Sequence, residues 1–319
     1  MTDPGSTSRF NLLLTSRNYA GLSDICLILN MLMLARSRTN DWHYNHVGEF
    51  LFNYFMITCH LDPCTHIRLW QDDTGRLVAC AILGEDPSFD CQVLLEYEWT
   101  GIEEEAFTWA NNYLERLRLQ DTCRWSGELT SGSRQDDPLR ISFLEKHGFH
   151  YSGRFAEVNM LRSLSVPIPA FEVPAGCQVC SMAELDCISD RAAAQRDVWQ
   201  PWTVGNVTGA DYARFMHLPG YHADLDVVTL APDGRIASYV NGWVDPLNHI
   251  GDFGPVGARQ EYRRKGLTRL ALLESLRRMQ AYGMDRVCIS TGVSNTPALN
   301  LYTSLGFVAV NHYLDYIQE

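Results

Sequence analysis

Apolar and polar positions in the second half of the chain switch between the periods of strands and helices. Ile250 to Val256 is a strand-like run, Leu267 to Tyr282 a helix-like one, and Arg286 to Thr291 a further strand. Beyond it, Ala298, Leu301, Tyr302 and Leu305 fall at i, i+3, i+4 and i+7, one face of a helix. Pro297 suits the first turn of that helix and Gly306 its exit. Upstream, Ile188 to Val198 predicts the first helix of this half, and Trp243 ends its third strand. In the first half, Ile25 to Ala35 is almost wholly apolar. A run of about eleven residues is too short for a bilayer that needs roughly 20, so a buried helix is expected. Gln92 to Tyr97 reads as a strand.

The pattern repeats at a spacing near 158 residues. Asp73-Thr74-Gly75-Arg76 and Asp233-Gly234-Arg235 are each a glycine turn between two strands, a hairpin signal. His60-Leu61-Asp62-Pro63 finds a counterpart in His217-Leu218-Pro219, and Leu144 to Phe149 in Tyr302 to Phe307. Three matches in register point to duplication. Between the copies, Val166 to Pro174 holds three prolines, which remove backbone donors and fix φ as in an extended linker. The expected division is residues 1–165, a linker at 166–174, and residues 175–319.

Composition narrows the function classes. The chain has 319 residues, 46% of them hydrophobic and 20% charged, as in a water-soluble globular protein of two domains. A net charge of −12 argues against a nucleic-acid partner, since phosphate affinity rests on clustered Lys and Arg. No secretory signal is visible in the first ten residues, and no membrane partner is expected. Ten scattered cysteines fit a reduced, cytoplasmic setting. Cys177, Cys180 and Cys187 have metal-like spacing but no second Cys or His pair at a zinc-site distance, so no metal is expected.

Arg263-Arg264-Lys265-Gly266-Leu267-Thr268 lies between the strand ending near Val256 and the helix from Leu267. A glycine turn entering a helix aims several unpaired backbone N–H groups at one point, with the helix dipole behind them. Such a nest binds phosphate, and three adjacent cations reinforce it. About thirty residues on, Asn295, Ala298, Leu301, Tyr302, Gly306 and Phe307 form a second motif. Together, in order and at this spacing, the two resemble the signatures of the GNAT (Gcn5-related N-acetyltransferase) superfamily, with Thr268 in the last place of the loop.

The resemblance implies an α/β (α+β) fold of two tandem GNAT-like domains, each a mixed, mostly antiparallel sheet flanked by helices. It also implies transfer of an acetyl group from acetyl-coenzyme A to a primary amine of a small molecule or peptide by direct attack. The pyrophosphate would sit on the amides of the loop, Arg263 to Arg269, and the cofactor arm would lie between splayed strands near Val256, in contact with Asn295. Tyr302 matches the family's leaving-group acid, the alternative being a core tyrosine. A backbone N–H near Gly254 to Val256 would be the oxyanion donor. The fourth strand reads Phe253-Gly254-Pro255-Val256, where many relatives have a Glu, so the base is open. Asp252 faces the same side of the strand, and His249, Asp245 or water are the other options. Trp199, Trp202, Tyr221 and Trp243 either line the acceptor pocket or pack a domain interface.

The first copy departs from the motif. Glu103, Glu104 and Glu105 stand where a phosphate nest needs cations, Leu144 replaces Tyr302, and Asp137 replaces Asn295. The expectation is a degenerate first domain, one active site in the C-terminal domain, and a monomer or homodimer. The alternatives are a longer acyl donor or a non-catalytic coenzyme-A-binding or partner-binding protein.

Overall fold

The computed structural model describes residues 14–39, 42–85, 87–121, 124–200 and 206–318. The N-terminal half runs β1 (Thr15–Asn18), α1 (Leu22–Arg36), α2 (Val47–His60), α3 (Pro63–His66), β2 (Ile67–Gln71), β3 (Leu77–Leu83) and β4 (Ser88–Val93). It continues through α4 (Ile102–Gln120), β5 (Leu129–Arg134), α5 (Pro138–Lys146) and β6 (His150–Ser163). The C-terminal half runs β7 (Gln178–Ser181), α6 (Ile188–Trp199), α7 (Gly209–Phe215), β8 (Asp226–Leu230), β9 (Ile236–Asp245) and β10 (Ile250–Ala258). There follow α8 (Leu267–Ala281), β11 (Arg286–Thr291), α9 (Thr296–Ser304) and β12 (Val308–Gln318). Residues 167–174, in the expected linker, hold neither helix nor strand. Among the described residues no helix is long and apolar enough to cross a membrane.

The repeat is visible in local chemistry. Asp137 caps α5 by accepting from Arg140 N, and Asn295, 158 positions later, caps α9 by accepting from Ala298 N. Each helix opens on a proline in its first turn and leaves through a left-handed glycine, Gly148 and Gly306. The strand expected over Gln92 to Tyr97 ends earlier, at Val93. The backbone turns there, with Tyr97 N bonded to Leu94 O at 2.7 Å and the Tyr97 hydroxyl held by Asp72.

The sheets expected for the two halves join into one of twelve strands, ordered β1-β2-β3-β4-β5-β12-β6-β11-β10-β9-β8-β7. The last strand of each half crosses over: β12 pairs with β5, β6 pairs with β11, and β6 and β12 pair with each other, all antiparallel. Among the described residues only β4–β5 and β10–β11 are parallel. Neither half therefore closes its sheet with its own final strand.

The helices tie the halves together on one face. His46 Nε2 donates to Ile250 O at 3.3 Å, and Asn248 Nδ2 donates to Met33 O at 2.9 Å. Phe55 of α2 packs on Phe215 of α7 at 4.3 Å between ring centroids. Gly48 lies so close to the Trp243 indole that a Cβ there would stand 2.3 Å from Trp243 Cγ. A glycine is needed at this contact because no larger residue admits such an approach.

Candidate active site

Where the parallel pair β10–β11 comes apart, the sheet opens. Register holds from Ile250↔Arg286 to Phe253↔Ile289 and then ends, as β10 bulges between Phe253 and Val256. A cleft of about 2080 Å³ begins in this gap and continues between the two halves. Gly254 to Ala258 and Ser290 to Gly292 line one part, and α2, β4, β5 and β6 contribute Glu49, Asp90, Ser131 and Glu157 to another.

The cationic loop borders the same cleft. Gly266, at φ +78°, is the N-cap of α8 and supplies no side-chain cap, so the first amides of the helix lack a protein acceptor there. A Cβ at Gly266 would meet nothing within 4 Å, leaving an open cradle above the helix N-terminus. Arg264 adopts φ +62°, which brings successive N–H groups to one side. Arg263 donates to Ala258 O, Arg269 to Ser304 Oγ, and Lys265 lies over the Tyr262 ring at 5.3 Å. Among the described residues none of Arg263, Arg264, Lys265 and Arg269 is in an ion pair, so their charge is available to an anion. Thr268 lines the cleft and Leu267 turns its side chain into the core. The donor set fits a diphosphate.

The equivalent helix start in the N-terminal half is closed. Glu103 Oε1 accepts from Trp99 N at 2.8 Å, Glu104 pairs with Lys146 and His147, and Glu105 accepts from Ser16 Oγ. Three carboxylates already occupy the N-terminus of α4.

Tyr302 projects from α9 into the cleft, with its ring packed 6.1 Å from Phe307. The residue is only 5% exposed, and its hydroxyl has no hydrogen-bond partner among the described residues. Burial alone raises its pKa above the ordinary tyrosine value, so it is a retained O–H donor. Asn295 lies on the cleft wall, but its side chain is engaged: Oδ1 caps α9, and Nδ2 donates to Thr291 Oγ1 at 3.1 Å.

Of the carboxylates weighed as a base, Asp252 reaches the cleft. Burial raises its pKa to about 6, while a Cys288 thiol donating to Oδ1 at 3.3 Å opposes the shift. His46 Nδ1 stands 3.9 Å from Asp252 Oδ2. That nitrogen already accepts from Gly48 N at 3.1 Å, and burial, then Arg36, push the imidazole pKa well down. The neutral ring faces the carboxylate without an ion pair. Asp245 is buried beside Arg36 at 3.5 Å and bonds Asn248, and His249 bonds Gly283 O at 3.1 Å. Neither lines the cleft.

The aromatics separate into two groups. Trp199 is the last residue of α6 rather than beyond it, lines the cleft, and donates to the Tyr239 hydroxyl. Trp243 is buried within β9, donates to Gly254 O, and packs against Gly48 and Phe215. Tyr221 packs on Phe215 and bonds Asp226. Both belong to the packing between the halves and not to the cleft wall. Trp202 lies outside the described residues.

Glu49 and Glu157 were not singled out by sequence. Glu49 is the sole Asp, Glu, Lys or Arg in α2, and a lone charge in an apolar helix is the signal that could have marked it. It is accessible from the cleft although it lies deep in the molecule. Its pKa is pushed well above the ordinary value by burial, then by Glu157, Asp90 and Asp252.

Known proteins place this geometry. Residues 192–307 match the acetyltransferase (GNAT) family. A mycothiol acetyltransferase of Thermobispora bispora is 28% identical over 169 residues, which cover 50% of this chain and 56% of that protein. An N-alpha-acetyltransferase of Sulfurisphaera tokodaii is 30% identical over 111 residues, 30% of this chain and 65% of the relative. The match thus spans less than two thirds of either relative. A GCN5-related N-acetyltransferase from Sphaerobacter thermophilus superposes with a TM-score of 0.64 at 18% identity, covering 96% of this chain and 95% of that one. A tandem GNAT protein from the clavulanic acid biosynthesis pathway gives 0.63 at 16%, covering 96% and 98%. At these identities the likeness is one of fold, and it extends over both halves. The chain carries a GNAT acetyltransferase domain at residues 192–307, set in the fold of tandem GNAT proteins.

Proposed function

We propose that this protein is an acyltransferase that moves an acetyl group from acetyl-coenzyme A to a primary amine, with one active site per chain. One observation carries the reading: an uncapped, cation-flanked helix N-terminus opens onto the same strand gap as the Asp252 carboxylate and the Tyr302 hydroxyl, which has no partner among the described residues. Bound acetyl-coenzyme A supplies an acetyl group activated as a thioester.

The chain's own residues then have separate tasks. Amides of Leu267 to Arg269, with Arg263, Arg264 and Lys265, hold the diphosphate. The strand edges freed beyond Phe253 and Ile289 offer backbone groups to an extended arm, as an open sheet edge does. Pro255 has no N–H, which leaves Gly254 and Val256 as backbone donors in that segment. Asp252 takes the proton that the acceptor amine sheds, and a carboxyl titrating near pH 6 suits that work at neutral pH. Tyr302 keeps its proton until a thiolate leaves beside it.

Calorimetry with coenzyme A and turnover of acetyl-coenzyme A against an amine panel test the proposal together. One binding site per chain and acetylated product are expected. Two equivalent sites would refute the closed α4 site, and absent binding would refute the assignment of the loop.

A further inference from the structure

The acceptor end of the cleft carries more negative charge than proton transfer requires. Four carboxylates line it: Glu49 on α2, Asp90 on β4, Glu157 on β6 and Asp252 on β10. Asp90 is compensated, with Arg140 at 3.4 Å and Asn45 Nδ2 at 2.9 Å. Among the described residues Glu157 has only the Ser290 hydroxyl. Glu49 has neither a hydrogen bond nor an ion pair among the described residues. The nearby cations do not pair with Glu49 or Glu157: Arg36 lies beside Asp245 and donates to Tyr44 O, with a lesser pull on Glu49 and Asp252, and Arg140 pairs with Asp90 and donates to Gly132 O.

The cluster is part of a site marked by an independent feature, because the 95%-buried Tyr302 aims its unbonded hydroxyl into the same cleft. Burial and then Glu157, Asp90 and Asp252 raise the pKa of Glu49, burial and more weakly Glu157 raise that of Asp252 against Cys288 and Arg36, and burial raises that of Glu157 against its bond from Ser290. Like charges lining one cleft repel, and a cation lying between them relieves that repulsion. A single reacting amine, which must lose its charge to attack, gives Asp252 a partner and leaves Glu49 and Glu157 without a cation. Aromatic neighbours Trp42, Tyr44 and Phe52 on the same wall suit the apolar part of a chain between two charged ends.

We propose that the acceptor is a dication, an aliphatic diamine or polyamine whose reacting nitrogen lies at Asp252 and whose second ammonium is held by Glu49 and Glu157. This rests on the acyltransferase reading and names the acceptor class for its site. The N-terminal half thereby supplies the specificity carboxylates for a reaction whose proton-transfer groups are in the C-terminal half.

The test compares butylamine with diaminobutane, as acceptors in acetyl-coenzyme A turnover and as ligands in calorimetry with coenzyme A present. Wild-type protein should favour the diamine in kcat/KM. Glu49→Gln and Glu157→Gln, isosteric changes on the cleft wall, should each cut the diamine-to-monoamine ratio by about tenfold or more, the usual worth of a charged hydrogen bond. Rescue of the ratio by Glu49→Asp would separate a charge effect from a structural one. Equal use of the two amines, or a ratio unchanged in both Gln variants, overturns the proposal while leaving the acyltransferase reading intact. Diamine binding that depends on Glu49 but yields no acetylated product supports the cation site and refutes the acyltransferase reading instead.

Discussion

Replacing Asp252 with Asn should make the protein more stable and less active, and the two effects have one cause. The carboxyl sits on β10 with its side chain 15% exposed, and burial lifts its pKa from the ordinary 3.8 to about 6. Below pH 3.8 the group is protonated in both folded and unfolded chains and has no effect on stability. Between 3.8 and 6 the unfolded chain ionises while the fold keeps its proton, so stability falls as pH rises. Above 6 the loss is complete and constant. At 1.36 kcal/mol per pH unit it is on the order of 3 kcal/mol. Asn keeps the shape, and its Oδ1 can still accept from the Cys288 thiol.

Urea unfolding at a series of pH values measures the difference directly, because groups common to both proteins largely cancel. The variant should match wild type near pH 4, gain on it through pH 6, and stay ahead by roughly 2–3 kcal/mol above that. Turnover should fall by roughly 10²–10⁴, with loss of the limb near pH 6 from the kcat/KM profile. A variant less stable than wild type at pH 8 would mean that the ionised carboxylate is held by favourable contacts in the fold, and the reasoning from burial would fail.

Tyr302→Phe keeps the packing on Phe307 and deletes a hydroxyl with no partner among the described residues, so the urea midpoint should barely move. Meanwhile kcat and kcat/KM should drop together by roughly 10²–10⁴, and near-normal turnover would reduce Tyr302 to a core residue. Gly266→Val places a β-branched residue at φ +78° and fills the cradle over α8, so coenzyme A affinity by calorimetry should fall sharply; unaltered affinity would put the diphosphate elsewhere. Gly48→Ala drives a Cβ into the Trp243 indole and should cost about 1–3 kcal/mol in urea unfolding, whereas a wild-type midpoint would show that α2 does not bear on β9 as described.

What could be read from sequence was local. The run from Arg286 to Thr291 is β11 as expected, and α8 and α9 begin where glycine and Asn-Thr-Pro signals put them. Those signals act over a few residues and survive any tertiary arrangement. The strand exchange was not legible, because β6 and β12 carry similar patterns and either can fill the place beside β5 or β11. Trp243 and Tyr221 show the same limit for side chains. An aromatic on a strand suits a pocket or an interface equally, and it was Gly48, almost two hundred positions earlier, that drew the indole into the interface. Glu49 entered the site the same way, carried there by the docking of α2 on β10.

The exchange also changes what degeneracy of the first copy means. Its own helix N-terminus carries Glu103 to Glu105 where the second copy has cations, yet its last strand lies directly against β11. Along that contact Val158 and Met160 enter the core of the C-terminal half, while Glu157 and Asn159, on the alternate positions, face the cleft. One strand thus completes a hydrophobic core and a polar wall that the C-terminal half lacks on its own. If the C-terminal half alone binds the cofactor, as proposed, the first copy can change its loop without consequence for chemistry next door. It cannot as easily change β6 or the first turn of α2, because side chains there serve both the packing between the halves and the cleft. The loop sequence and the surviving role of the N-terminal half are therefore separate questions, and the second is answered by the strand order.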